Sequence, residues 1–391
     1  MKLKIFIATL AVICLHFNTI AYQAKPVSVI PFEVVNGSII LKVKINNNAR
    51  TLRLLFDTGA DGMALSKALA DSLSLKPVVS QNASVVGGSM KIDVSRGNSI
   101  TMEDGFVIEN QGIAIFAEIH KGCDGIIGNT IAKNYITKVD FNKYELSLYN
   151  FENYTYEEGG VIIPITVPDG LFIIPGNIEI TAGKSHTGNF VFDTGASYNL
   201  ICFRPFVKQK KLLISGFKSD YHASTVSMGI SSPTFNGNIN SFSFINTHPI
   251  KNMPIRLMAG GGQNESWNPG FDGSIGMGII SKYNFTINCK KNEIHFIPNH
   301  SFNYPLSFTL SPYLMEFNLS GELEISGYIR VIFENEKTLA IGTKIISING
   351  IASDIILKNP NKINQLKATI GKSKLRIKYI NDKGNQNEVI Y

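Results

Sequence analysis

Leu55-Phe56-Asp57-Thr58-Gly59-Ala60 and Val191-Phe192-Asp193-Thr194-Gly195-Ala196 are two short stretches built to one pattern. In each, a pair of apolar residues runs into Asp-Thr-Gly-Ala, which reads as a strand that ends in a tight turn and presents one carboxylate there. Two carboxylates placed side by side share one proton, because both cannot easily ionise at short range. One can then act as base while the other acts as acid.

Outward from these stretches the sequence repeats. Ile40-Leu41-Lys42-Val43-Lys44-Ile45, an Asn46-Asn47-Asn48 turn and Leu52-Arg53-Leu54-Leu55-Phe56 predict a hairpin whose second strand delivers Asp57. Residues 161–167 and 173–180 are strand-like, and residues 189–192 deliver Asp193 in the same way. Asp57 and Asp193 lie 136 apart, whereas Asp124 and Asp272, each followed by Gly and an apolar-Gly step, lie 148 apart. The offset of 148 then holds without a gap from Gly128 with Gly276, through Tyr135 with Tyr283 and Val139 with Ile287, to Glu145 with Glu293 and Leu146 with Ile294. An internal duplication accounts for a register kept over that length. Most of the extra residues in the second copy fall in 258–270, a loop with Gly260-Gly261-Gly262 and the only tryptophan, Trp267.

Short helices are expected at 66–75 and 130–134, and strands at 138–141 and 145–149. Beyond 299 the repeat ends. Residues 323–325, 328–333 and 374–379 look like strands, Ala340-Ile341-Gly342-Thr343-Lys344-Ile345-Ile346-Ser347-Ile348-Asn349-Gly350 is a strand running into an Asn-Gly turn, and 361–370 is a helix candidate.

A chain of 391 residues is too long for one ordinary core and suggests two or three domains. Apolar residues make up 44% and charged residues 17%, which is a folding composition and not a disordered one. Lys2 and Lys4 precede an apolar run from Ile5 to Leu15, with small residues near Thr19 and Ala21, as in a secretory signal peptide over 1–21. Ile13 stands where a lipoprotein signal has a small residue, which argues against lipidation at Cys14. No later stretch is long and apolar enough to span a bilayer. Cys123, Cys202 and Cys289 are an odd number without paired spacing, so disulfides do not organise the chain. The formal charge of +7 falls to +5 without Lys2 and Lys4, and its even spread favours a solvated surface over nucleic-acid binding.

The doubled Asp-Thr-Gly-Ala, each with a downstream apolar-Gly step, resembles the aspartic proteases, the family of pepsin and the retroviral proteases, over about residues 34–299. The resemblance implies an all-β, bilobal double β-barrel with a cleft between an N-terminal lobe at 28–155 and a C-terminal lobe at 156–299. It implies Asp57 and Asp193 as the catalytic pair, Thr58 and Thr194 as cross-links between the two loops, and Gly59 and Gly195 as the points where backbone turns closely around the carboxylates. Ile126-Ile127-Gly128 and Ser274-Ile275-Gly276 resemble the strand packed behind each loop. Ala60 and Ala196 are closer to the retroviral pattern than to pepsin, as if a retroviral-type dimer were joined into one chain. A flap that covers substrate is expected at 84–95, with Gly87 and Gly88 at its tip and 224–232 as its counterpart; 84–95 has no tyrosine, unlike pepsin.

Residues 305–391 resemble a PDZ domain, mainly through Lys344 to Gly350, with Thr343 in place of the usual acidic residue. That resemblance implies binding of an extended peptide or chain end by strand addition. Together these features imply a secreted or periplasmic, monomeric aspartic endopeptidase acting on peptide or protein substrates, with no metal or organic cofactor, no nucleic acid and no membrane span. The competing reading is an inactive protease fold that binds peptides without cutting them.

Asp124 and Asp272 read as turn residues, and Cys123 as a structural thiol. Thr181-Ala182-Gly183-Lys184-Ser185 ends like a phosphate loop but has Ile178 where the first glycine belongs, and the histidines at 120, 186, 222, 248, 295 and 300 have no ligand spacing.

Overall fold

Strands dominate the regular structure, a computed structural model that describes residues 24–391 apart from 120–121, 153, 259, 261–265, 331, 333–337 and 370–373. The expected signal peptide at 1–21, Cys14 and most of the glycine run at 260–262 lie outside the described residues. Strands Ser28–Val35, Ser38–Ile45 and Leu52–Phe56 form an antiparallel set in which Ile39, Leu41, Val43 and Leu54 are fully or almost fully buried. Burying each such side chain contributes about 1.5–3 kcal/mol. Asn46 and Asn47, at φ 50° and 56°, make the expected turn, with the Asn48 amide donating to Ile45 O at 2.9 Å.

Leu54-Leu55-Phe56 then pairs in parallel with Gly125-Ile126-Ile127, and Phe190-Val191-Phe192 pairs in parallel with Gly273-Ser274-Ile275. The same two offsets counted in sequence, 136 and 148, relate these pairs. The duplication is therefore structural as well as sequential.

Its two copies are joined across a pseudo-twofold axis. Strands Val161–Pro164, Glu293–Pro298, Tyr283–Asn288, Ile136–Asp140, Glu145–Tyr149 and Ser28–Val35 run side by side in one sheet. At its centre Val139 opposes Phe285, Lys138 opposes Thr286 and Thr137 opposes Ile287. Because Phe285, Thr286 and Ile287 are the repeat equivalents of Thr137, Lys138 and Val139, Lys138 meets its own counterpart, and Thr137 and Val139 each meet the counterpart of the other. That self-complementary pairing is the signature of a twofold interface. One core runs through both lobes beneath this sheet, with Phe192 edge-on to Phe285 at 5.0 Å between centroids. The all-β, two-lobed architecture expected from the sequence is thus the observed one.

A third β-rich unit follows. Its sheet runs Phe308–Leu310, Tyr313–Phe317, Leu323–Tyr328, Lys344–Ile348, Arg376–Ile380 and Gln386–Ile390, with helices Ser353–Lys358 and Asn361–Thr369 over a separate core that includes Met315, Ile325, Ile348 and Leu366. Asn349 and Gly350, at φ 46° and 79°, form the expected two-residue turn between Ile348 and Ile351.

Two local expectations are corrected. Residues 130–134 form turns and not a helix, because the Lys133 and Tyr135 amides bond four residues back while the Asn134 amide bonds three back, so no consecutive run of helical bonds forms; the matching stretch of the second copy is the short helix Met277–Ile280. Residues 323–325 and 328 belong to one strand, Leu323–Tyr328, which crosses Ser326-Gly327 at an irregularity in its pairing; residues 329–330 are bends, and 331 and 333 of the strand expected at 328–333 lie outside the described residues.

Candidate active site

Each half-site starts from a carboxylate that anchors the incoming strand. Asp124 Oδ2 accepts from the Arg53 amide at 2.8 Å, and Asp272 Oδ2 accepts from the Asn189 amide at 2.7 Å. These two are the turn residues that the sequence suggests. At the strand ends the amides of Asp57 and Asp193 donate to Ile127 O and Ile275 O, each at 3.0 Å. The strand behind each loop thereby fixes where its aspartate emerges.

The loops then lock to one another. The Thr58 amide donates to Thr194 Oγ1 and the Thr194 amide to Thr58 Oγ1, both at 3.0 Å. Thr58 Oγ1 donates onward to Phe192 O at 2.5 Å, and Thr194 Oγ1 to Phe56 O at 2.7 Å. Both threonines are fully buried, so each hydroxyl must both give and receive, and each ties its loop to the other.

This lock sets Asp57 and Asp193 in hydrogen-bond contact. A Cβ on Gly59 would stand 2.7 Å from Asp193 Cγ, and one on Gly195 would stand 2.3 Å from Asp57 Cγ. Only glycine leaves room there for the facing carboxyl. Gly59 and Gly195 amides donate to the Oδ1 atoms of Asp57 and Asp193 at 2.8 and 3.0 Å. Burial, and then the charge of Asp193, hold the Asp57 carboxyl well above the usual carboxylate range. Burial also raises Asp193, against the pull of a hydroxyl, Ser274 Oγ, which donates to Asp193 Oδ2 at 2.8 Å. The pair therefore keeps a proton at pH values where isolated carboxyls have lost theirs.

Two hairpins reach over from the lobes. Pro77–Val85 and Gly88–Met102 turn at Val86-Gly87, with Gly87 at φ 90°. Ser219–Ser227 and Ile230–Phe244 turn at Met228-Gly229, with φ 46° and 83°. A Cβ on Gly87 would lie 2.4 Å from Ser232 Oγ, so the two hairpins touch. Val86 packs on the second lobe against Phe203 and Met258, and Met228 packs on the first lobe's cluster of Leu55, Ala64 and Ile126. Each tip rests on the opposite lobe. Trp267, from the loop particular to the second lobe, stands edge-on to Phe203 at 5.0 Å in the group that receives Val86.

Of the residues singled out from sequence, Asp57, Thr58, Gly59, Asp193, Thr194 and Gly195 form the centre, Gly87 lies in the turn of the first hairpin, and Gly88 opens its second strand, paired with Val85. Three others were not assigned from sequence. Asn129 Nδ2 donates to Thr58 O at 2.9 Å and to Gly170 O at 2.8 Å, and so braces the first loop. Tyr198 lies beside Ser274 with its phenol raised by burial and by Asp193, while the Arg256 guanidinium sits 5.3 Å from its ring centroid. Ser274 is the hydroxyl residue in the step where the first copy has Ile126.

A family model described as aspartyl protease matches residues 41–131. No curated protein sequence matches the chain. Among solved structures, the aspartic proteinase from Irpex lacteus is similar at 15% identity, covering 70% of this chain and 97% of that one, with a TM-score of 0.44. The described residues contain no group of three or more His, Cys, Asp or Glu placed to hold a metal ion, and no helix long and apolar enough to cross a membrane.

Proposed function

We propose that the chain is an aspartic endopeptidase whose two lobes each supply one catalytic aspartate, Asp57 and Asp193. The observation that carries this reading is the contact of the two carboxyls, held by reciprocal threonine hydrogen bonds between two Asp-Thr-Gly-Ala loops. The aspartyl protease match over 41–131, which includes the first loop, supports it. An extended peptide would lie between the dyad and the two hairpins. The ionised carboxyl takes a proton from water as its oxygen attacks the scissile carbonyl carbon, and the protonated carboxyl gives its proton to the carbonyl oxygen. Hairpins that close over the peptide exclude bulk water and hold it in line.

Under the same proposal Lys2, Lys4 and the apolar run that follows direct the chain to a secreted or periplasmic location, and the protein works as a monomer, since one chain holds both half-sites. The unit at 305–391 is a PDZ-like module that takes an extended peptide along an edge strand of its sheet, Phe308–Leu310 or Gln386–Ile390 among the described residues.

Incubating the purified protein with a mixed peptide library from pH 3 to 8 in oxygen-18 water tests the reading. Internal cleavage with one heavy oxygen in each new carboxyl terminus is the expected result. A library left intact across that range would overturn it.

A further inference from the structure

The two carboxyls of the dyad are not in equivalent surroundings, although their backbones are. Each receives an amide hydrogen bond from its own glycine, Gly59 to Asp57 and Gly195 to Asp193. The strand behind each loop then differs at one position. Ser274 and Ile126 occupy matching places, 148 apart, in the parallel pairings with Val191 and Leu55. Ser274 is 1% exposed and donates its hydroxyl to Asp193 Oδ2 at 2.8 Å, whereas Ile126, 3% exposed, has nothing to donate. The alanines that follow the loop glycines, Ala60 and Ala196, supply no hydroxyl to either side.

We propose that Ser274 is a positioning residue that makes Asp193 the ionised member of the dyad and Asp57 the protonated one. A hydrogen bond donated to a carboxylate favours its charged form, and in a desolvated site that preference is strong. The nearby titratable groups differ as well. The Tyr198 phenol, kept neutral by burial, is adjacent to Ser274 and has the Arg256 guanidinium 5.3 Å from its ring centroid. The Cys123 thiol, its own ionisation disfavoured by burial, is a neighbour of Asp57.

This assignment rests on the peptidase reading and gives each carboxyl one task. Asp193 takes a proton from water, the water oxygen bonds to the carbonyl carbon, and Asp57 passes its proton to the carbonyl oxygen, which leaves a gem-diol. The C–N bond then breaks as the nitrogen takes the proton from Asp193. A gem-diol hydroxyl returns a proton to Asp57, so both carboxyls end as they began.

The test compares the pH profile of kcat/KM for wild type, Ser274→Ala, Ser274→Thr and Ile126→Ser, with folding checked by circular dichroism. Losing a hydrogen bond to a charged group moves the acid limb of Ser274→Ala upward by about one to two pH units. Ser274→Thr keeps the hydroxyl and the wild-type limb, and Ile126→Ser, which offers Asp57 a matching hydroxyl, moves the alkaline limb downward. An acid limb that stays in place in Ser274→Ala, or moves equally in Ser274→Thr, overturns the proposal. Carbon-13 titration of the aspartate carboxyls needs no substrate and separates this inference from the peptidase reading. If wild type cuts nothing, a lower dyad titration that rises in Ser274→Ala still supports the inference, and one that does not move refutes it.

Discussion

In the first lobe Asp57 emerges beside Ile126, its loop is braced by Asn129, and the hairpin above it ends in Val86-Gly87. In the second lobe Asp193 emerges beside Ser274, with Tyr198 and Arg256 behind it and the aromatic group of Phe203 and Trp267 to one side. The backbone between these features is the same twice over, down to the amide of each aspartate on the carbonyl two residues past the matching glycine. Duplication thus conserves what must meet at the twofold axis, and the side chains around the axis are where the copies have parted. A site made from two equal halves would have no preferred acid or base; here the divergence supplies one.

If the halves are equivalent in the lock, breaking either should hurt equally. Thr58→Val leaves the Thr194 amide and Phe192 O without partners, and Thr194→Val does the same to the Thr58 amide and Phe56 O. Each is expected to cost about 2–4 kcal/mol of stability, from two orphaned buried groups. Urea unfolding of both variants checks this, and a difference between them above about 1 kcal/mol would show that the lock is itself asymmetric.

The hairpin tips predict an inequality. Gly87 has a positive φ and no room for a Cβ, while Gly229 has a positive φ in open space. Gly87→Val should lower kcat/KM by about tenfold or more through the blocked contact with Ser232. Gly229→Val should lose only the roughly 1–2 kcal/mol of turn strain, read as a small fall in Tm. Equal losses of activity in both would mean that the tip contact at Ser232 does not matter for turnover.

The smallest effect concerns the seam between the second lobe and the third unit. A cavity of about 190 Å³ between it and the third unit holds Arg256, Glu316 and Glu324. Burial, and then the charge of Glu324, push Glu316 up from 4.5 to about 7, with Arg256 opposing. The folded state therefore binds more protons than the unfolded one between about pH 4.5 and 7, and stability falls as pH rises through that window. Glu316→Gln should flatten the slope and raise stability above pH 7, by at most about 3 kcal/mol. A slope unchanged in that variant would place the titration elsewhere.

Much of this was legible in the sequence because the signal came twice. The two Asp-Thr-Gly-Ala stretches and the 148 offset located both loops, and their threonines and glycines meet at the centre. The Asn46-Asn47 and Asn349-Gly350 turns were readable because left-handed φ values select those residues. What was not legible depends on contacts across the fold. Asn129 follows the apolar-Gly step and reads as an ordinary loop residue until its amide is seen between Thr58 O and Gly170 O. Ser274 reads as one small residue in a buried strand, and only the parallel pairing with Val191 turns its hydroxyl toward Asp193. Residues 130–134 looked helical because local pattern does not tell which amides bond three and which four residues back, and the matching stretch of the second copy is the helix Met277–Ile280.

The central claim is that two aspartates from two lobes act as a single unit. The measurement that tests it most directly is kcat for peptide cleavage by Asp57→Asn, Asp193→Asn and the double variant, each confirmed to be folded. Groups that act as a unit are non-additive, so each single change should cost about a thousandfold or more and the double change should cost no more than the worse single one. Losses that multiply in the double variant, or one single variant that cuts at the wild-type rate, would contradict it.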